Sequence, residues 1–288
     1  MSKLLFKFAL ILMTFVVAQT ASARDVVVLV PGFFNSFAPE YFSQDIVNSF
    51  RKKGFQVYIA NNLNPIGHIE ENGSRLESLL QQIEKAENGH VAFNIVAHSA
   101  GGFYAMWVAN RQKFEIKNIM TVSTPFQGVE FVHALKIDSY LFESLLDLAH
   151  LESLDELTPA GAKIFIGSIR ISPKTKMFAF GGFQTDGWDI TDARNLSVPM
   201  RVTDHFTTGV SDGIVSFASA MAIGEVKTTA NEMAKQFRDK KFFLNLEHWE
   251  QVLDARSFLL LGIRNVSFIR DEQIRFYSGL ADLLNTQK

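Results

Sequence analysis

The sequence predicts an α/β protein built on an open, mostly parallel central sheet with helices on both faces. Three features predict it. Continuous apolar, β-branched runs recur, starting with Asp25-Val26-Val27-Val28-Leu29-Val30, and such runs mark strands buried on both faces of a parallel sheet. Amphipathic stretches of helical period separate the runs, while glycines, prolines and polar turn residues gather at their exits. One exit, Ala97-His98-Ser99-Ala100-Gly101-Gly102, holds a serine among small residues, after Asn94-Ile95-Val96 and before the apolar helix start at residues 103–109. Strand, sharp turn and helix in that order make a nucleophile elbow, whose serine takes strained backbone angles and needs small neighbours two positions away on either side. Ala97 and Gly101 supply them, with Ala97 one methyl larger than the usual glycine.

The first residues read as a targeting segment. Lys3 and Lys7 are followed by an apolar stretch at residues 8–18, and Ala21-Ser22-Ala23 offers a small-residue cleavage site before Arg24. This arrangement predicts a signal peptide over residues 1–23 and an exported mature chain, periplasmic or secreted; the alternative is an uncleaved membrane anchor. Residues 24–288 then form one catalytic-domain-sized unit with no linker dividing it. The chain has no cysteine, so packing, or packing and a metal ion, must stabilise it. Its net charge of −2, with both signs interspersed, argues against nucleic acid as a partner. Phenylalanine is abundant, with 27 residues, and serves a core first and an apolar substrate site second.

After the first strand, Pro31-Gly32-Phe33-Phe34-Asn35-Ser36 breaks the chain and presents backbone N–H groups at the carboxyl edge of the sheet, where α/β proteins place ligands. A helix is expected over 41–53, a strand over 55–59, a helix over 71–87, the central strand to Ser99, its helix to about 111, and a strand over 116–122. Residues 129–158 are leucine-rich and helical in period, which suits a lid over a substrate site or ordinary packing helices. A strand over 176–180 leads into a polar loop over 181–203 carrying Asp186, Asp189 and Asp192. Further on come a glycine-flanked Asp212, a short strand over 242–246, and helices over 252–263 and 271–284.

A serine hydroxyl is a weak nucleophile at neutral pH and needs a histidine to take its proton and a carboxylate to orient that histidine. At an elbow of this kind the three arrive in the order serine, acid, histidine. Of the histidines after Ser99, His133 and His150 fall in the helical insertion and His205 precedes the best aspartate. Only His248 follows Asp212, so the expected catalytic set is Ser99, Asp212 and His248, with Asp189 and Asp204 as alternative acids. His98 points away from the bend and is read as a supporting residue. Backbone amides of Phe33 and Ala100 are the expected oxyanion donors.

These segments resemble the bacterial secreted triacylglycerol lipases of the α/β-hydrolase superfamily. Val28-Leu29-Val30-Pro31-Gly32-Phe33 is similar to their oxyanion turn, residues 97–102 to their elbow, and Ser123-Thr124-Pro125-Phe126-Gln127-Gly128 to their Thr-Pro-His-x-Gly loop. Residues 151–162 are similar to the segment after their lid, and Ser211-Asp212-Gly213-Ile214-Val215 and His248-Trp249-Glu250 to their acid and base motifs. The resemblance implies an α/β-hydrolase fold with a helical lid and an ester hydrolase, a lipase above all, acting on lipid or ester substrates at a lipid–water interface. Short-chain carboxylesterase and polyester depolymerase activities use the same three residues, and a non-catalytic binding protein on this scaffold is the rival of another class. The chain departs from the family in carrying Pro31 where a histidine is usual and in lacking a cysteine pair. The chemistry requires no cofactor. The resemblance further implies a structural calcium held by Asp192 and Glu250, and the dedicated folding chaperone that some relatives require.

Overall fold

The computed structural model describes residues 24–35, 40–87, 90–132, 152–185, 194–222, 244–260 and 265–287. The expected leader, most of the expected insertion with His133 and His150, and the loop residues Asp186, Asp189 and Asp192 lie outside the described residues. Among the described residues, no helix is long and apolar enough to cross a membrane.

Among the described residues five strands form one sheet: β1 (Arg24–Val30), β2 (Gln56–Ile59), β3 (Val91–His98), β4 (Glu115–Val122) and β5 (Lys176–Phe180). They pair in the order β2-β1-β3-β4-β5, and every pair is parallel. Between them run α1 (Gln44–Arg51), α2 (Ile69–Ala86), α3 (Gly101–Asn110) and, before β5, α4 (Pro159–Ser168). Two short helices, α5 (Val198–Asp204) and α6 (Phe217–Ala220), precede a long final helix α7 (Val266–Thr286).

The apolar strands follow from the two cores they separate. Alternate residues of β1 point opposite ways. Val26, Val28 and Val30 pack with residues of α2 and α3, while Val27 and Leu29 pack with residues of α1 and α7. With both faces covered, no polar position is left for alternation to reveal. A polar pair sits at the sheet centre: Asn118 Nδ2 donates to Asn94 Oδ1 at 2.6 Å, beside a register shift at Phe93/Asn94. The helix α3, buried over most of its length, starts at the elbow and passes α2 so closely that a Cβ on Gly73 would lie 2.5 Å from the Trp107 ring.

The register sets the site. Val30 pairs with Ala97 and Ala97 with Thr121, so β1, β3 and β4 end level. Their exits, Pro31-Gly32-Phe33, Ser99-Ala100 and Ser123-Thr124, therefore stand side by side at the carboxyl edge.

Four local expectations are corrected. α1 starts at Gln44, because Ser43 caps it by accepting the Ile46 N–H, and this leaves Tyr41 and Phe42 as buried residues ahead of it. The 181–203 loop contains the start of α5. The segment expected as a helix over 252–263 holds a 3₁₀ turn, Ala255–Leu260, and α7 begins at Val266 because Asn265 caps it. Of the short strand expected over 242–246, the described residues show one bridge, Leu244 to Gly182.

Candidate active site

Ser99 sits at the tip of the bend between β3 and α3 with φ of 53°, left-handed backbone that a non-glycine residue adopts at a cost of about 1–2 kcal/mol. The surroundings enforce it. Ser99 N–H donates to Val122 C=O at 2.9 Å, and the Thr124 hydroxyl donates to Ser99 C=O at 2.8 Å. The neighbouring glycines are there for close approach. A Cβ on Gly101 would lie 2.5 Å from Val30 O, and one on Gly102 would lie 2.2 Å from Thr124 Oγ1. On the opposite turn, a Cβ on Gly32 would lie 2.7 Å from the Ser99 Cβ, so the turn after β1 leans directly on the serine.

The structure brings Ser99, His248 and Asp212 together. His248 Nε2 is 3.0 Å from Ser99 Oγ, and His248 Nδ1 is 2.9 Å from Asp212 Oδ2. The loops carrying the acid and the histidine are joined, since His248 N–H donates to Asp212 C=O at 2.9 Å. The preceding residue, Glu247, anchors the histidine's loop to α5 by accepting both the N–H and the hydroxyl of its cap Ser197, at 2.8 and 2.9 Å. Thr203 at the other end of α5 donates its hydroxyl to Gly213 C=O.

Asp212 is fully buried and densely hydrogen-bonded. Its Oδ1 accepts Ile214 and Val215 N–H at 3.1 and 2.8 Å, and its Oδ2 accepts Gln251 Nε2–H at 2.8 Å as well as the histidine. The Ser123 side chain also favours the charged carboxylate. Burial pushes the carboxyl's pKa up, but the His248 charge and these donors together outweigh it and hold the group below the ordinary aspartate value. An ionised carboxylate on Nδ1–H leaves Nε2 of neutral His248 as the acceptor facing Ser99.

Phe33 and Ala100 flank the serine, and neither amide donates a hydrogen bond to another described residue. Above Ser99 and His248 opens a cavity of about 380 Å³ whose wall is almost wholly apolar, including Phe33, Phe131, Val132, Leu157 and Ile214. Its size is that of a small-molecule site.

Other candidate residues are not brought to this centre. Asp204 bonds the Ser211 hydroxyl and not His248, and His205 packs edge-on against Phe206. Glu250 is buried, accepts the Glu247 N–H at 3.3 Å, and lies two residues past His248. Asp192 is outside the described residues, among which no group of three or more histidine or carboxylate side chains is placed to hold a metal ion. Three residues escape sequence reasoning: Gln251, Ser123 and Tyr41. Gln251 lies within four residues of Asp212's partner histidine, a proximity readable from the sequence; the other two meet the site only through tertiary approach.

Residues 25–148 match the alpha/beta hydrolase fold model. No curated protein matches the sequence. Among solved structures, a metagenomic carboxyl esterase superposes with a TM-score of 0.67 at 16% identity, over 93% of this chain and 77% of that one. Lipase 1 from Pelosinus fermentans superposes at 0.58 with 12% identity, over 91% and 99% of the two chains. The mature form of a Bacillus licheniformis lipase gives 0.54 at 19% identity, over 71% and 82%. With its parallel sheet, its serine at the bend after β3 and these esterase and lipase structures as neighbours, the chain has the alpha/beta hydrolase fold.

Proposed function

We propose that the protein is a serine hydrolase of carboxylic esters with an apolar acyl group, and that its activity is that of a lipase. The observation that carries the reading is the unbroken contact from Asp212 through His248 to Ser99 on the floor of an apolar cavity. In the reaction, Ser99 Oγ attacks the ester carbonyl while His248 Nε2 takes its proton, and the carbonyl oxygen becomes an oxyanion facing the Phe33 and Ala100 amides. The intermediate collapses, the C–O bond to the alcohol breaks, and His248 returns the proton to the departing alkoxide. Ser99 is left as an acyl ester. Water then attacks that ester, giving a proton to His248; on collapse the bond to Ser99 Oγ breaks, His248 returns the proton to that oxygen, and the carboxylic acid leaves. Asp212 stays ionised throughout and stabilises the imidazolium. The apolar walls suit an acyl chain, and among the described residues no lysine, arginine or carboxylate lines them to grip a polar one.

The resemblance extends the reading to an exported enzyme whose leader is removed after Ala23, with residues 129–158 as its lid, a lipid surface as its working partner, and calcium and a folding chaperone as optional requirements. The test is hydrolysis of p-nitrophenyl esters of increasing acyl length by wild type and Ser99→Ala. A lipase prefers the longer chains and loses all turnover with the serine. Activity confined to acetate and butyrate replaces the lipase with a short-chain esterase, and a correctly folded wild type that cleaves none of them favours a binding protein.

A further inference from the structure

The turn that carries the Phe33 amide begins with Pro31, which offers neither an N–H nor a polar side chain to hold it in place. Asn35 Nδ2 donates to Gly32 C=O at 3.3 Å within the turn and Phe34 N–H donates to Pro65 C=O at 2.7 Å, but what holds the Gly32 N–H comes from outside the turn. Gly32 N–H donates to the Tyr41 hydroxyl at 3.0 Å, and the same hydroxyl lies 2.8 Å from Nδ1 of His98, the residue before the serine. Both side chains are buried, Tyr41 against Phe42, Trp249 and His98.

The proton count gives this contact a direction. Gly32 N–H occupies one lone pair of the phenol, and the arrangement that leaves no buried phenol proton unpaired has the O–H donating to His98 Nδ1. The His98 ring proton is then on Nε2. Neither His98 Nε2 nor Gln251 Oε1 completes a hydrogen bond of ordinary geometry. Gln251 uses its amide N–H on Asp212 Oδ2 at 2.8 Å, and a Cβ on Gly182 would lie 2.2 Å from that nitrogen, so the glycine is what lets the amide reach.

We infer that Tyr41 and His98 are positioning residues, which set the oxyanion turn through Gly32 N–H and tie it to the residue that precedes the serine. The inference rests on the ester-hydrolase reading of the same site. It explains why a second histidine, its ring 4.6 Å from that of His248, is tolerated at the centre. Burial first, and the neighbouring His248 charge second, hold His98 well below the ordinary histidine pKa, so it stays neutral and does not oppose the imidazolium that forms on His248. A tyrosine present only for packing predicts none of this, since phenylalanine fills the same space.

The experiment compares full-length wild type, Tyr41→Phe, His98→Leu, His98→Asn and the double variant Tyr41→Phe/His98→Leu. Turnover of a p-nitrophenyl ester is expressed per serine titrated with a fluorophosphonate, which counts only assembled sites. Tyr41→Phe and His98→Leu should each lower kcat roughly 10- to 100-fold with KM within about twofold, because a misplaced oxyanion donor acts on the transition state. The double variant should fall no more than about threefold below either single one, as members of one unit do. His98→Asn, which returns an acceptor near the Nδ1 position, should recover most of the His98→Leu loss. Wild-type kcat per titrated site in Tyr41→Phe, or losses that multiply in the double variant, would overturn the inference. Should Tyr41→Phe fail to fold, the contrast between His98→Leu and His98→Asn decides alone. A folded wild type that neither labels at Ser99 nor turns over removes the hydrolase reading and this inference together, an outcome distinct from an active wild type with indifferent variants.

Discussion

Ser99 and Ser123 end neighbouring strands, β3 and β4, in nearly the same left-handed backbone, with φ of 53° and 49°. Each is pinned to the next strand, Ser99 N–H to Val122 C=O and Ser123 N–H to Phe180 C=O, at 2.9 and 2.8 Å. Their hydroxyls meet different surroundings. Ser99 is partly exposed to the apolar cavity and faces His248 Nε2, a base. Ser123 is fully buried, accepts the Gly182 N–H at 3.2 Å, and has no histidine hydrogen-bonded to its hydroxyl among the described residues. One hydroxyl can give up its proton and be reached by substrate; the other has neither a free base nor access. A tight bend at a strand exit therefore does not make a nucleophile. The base and the cavity do.

The largest effect that tests this contrast is at Ser99. Ser99→Ala should lower kcat by at least about 10⁴-fold with folding intact, checked by ester hydrolysis beside circular dichroism. Asp212→Asn should approach that loss, about 10⁴-fold, because an amide no longer selects the Nδ1–H tautomer of His248. Ser123→Ala should cost far less, roughly 3- to 30-fold in kcat, since the side chain is only one of several influences that keep Asp212 ionised. A Ser123→Ala loss as deep as that of Ser99→Ala would break the comparison.

Two smaller effects sharpen it. Gly182→Ala, which drives a Cβ toward the Gln251 amide, should lower the unfolding free energy by about 1–3 kcal/mol in a urea titration and reduce kcat with it. The last concerns His98. Burial and the His248 charge lower its folded pKa below the unfolded value of about 6.5. Between the two values the unfolded chain binds a proton that the folded chain does not, so stability rises with pH in that window and falls as pH drops below about 6.5. One such proton contributes a slope of about 1.4 kcal/mol per pH unit, and His98→Asn should remove it from urea titrations at pH 5, 6 and 7.

The sheet and the elbow were legible in the sequence because their signals are local. β-Branched runs, small residues around Ser99 and glycine-bearing turns each act within a few positions, and the order of Asp212 and His248 narrowed the remaining choice. The helices α4 and α5 also had local signals, a Thr158-Pro159 and a Ser197-Val198-Pro199 start, that the surrounding polar and leucine-rich patterns obscured. Tyr41 was not legible. Its residues lie where a helix was expected to begin, and its role depends on meeting His98, 57 positions away, across a sheet edge that only the folded register creates. Ser123 was hidden for the same reason: nothing near it in the chain announces the carboxylate it supports.

The most direct test of the central claim is to label the folded protein with a fluorophosphonate and locate the adduct by mass spectrometry in wild type, Ser99→Ala and Ser123→Ala. The account predicts an adduct on Ser99 in wild type and in Ser123→Ala, and none in Ser99→Ala. An adduct on Ser123, or unaltered labelling without Ser99, would contradict it.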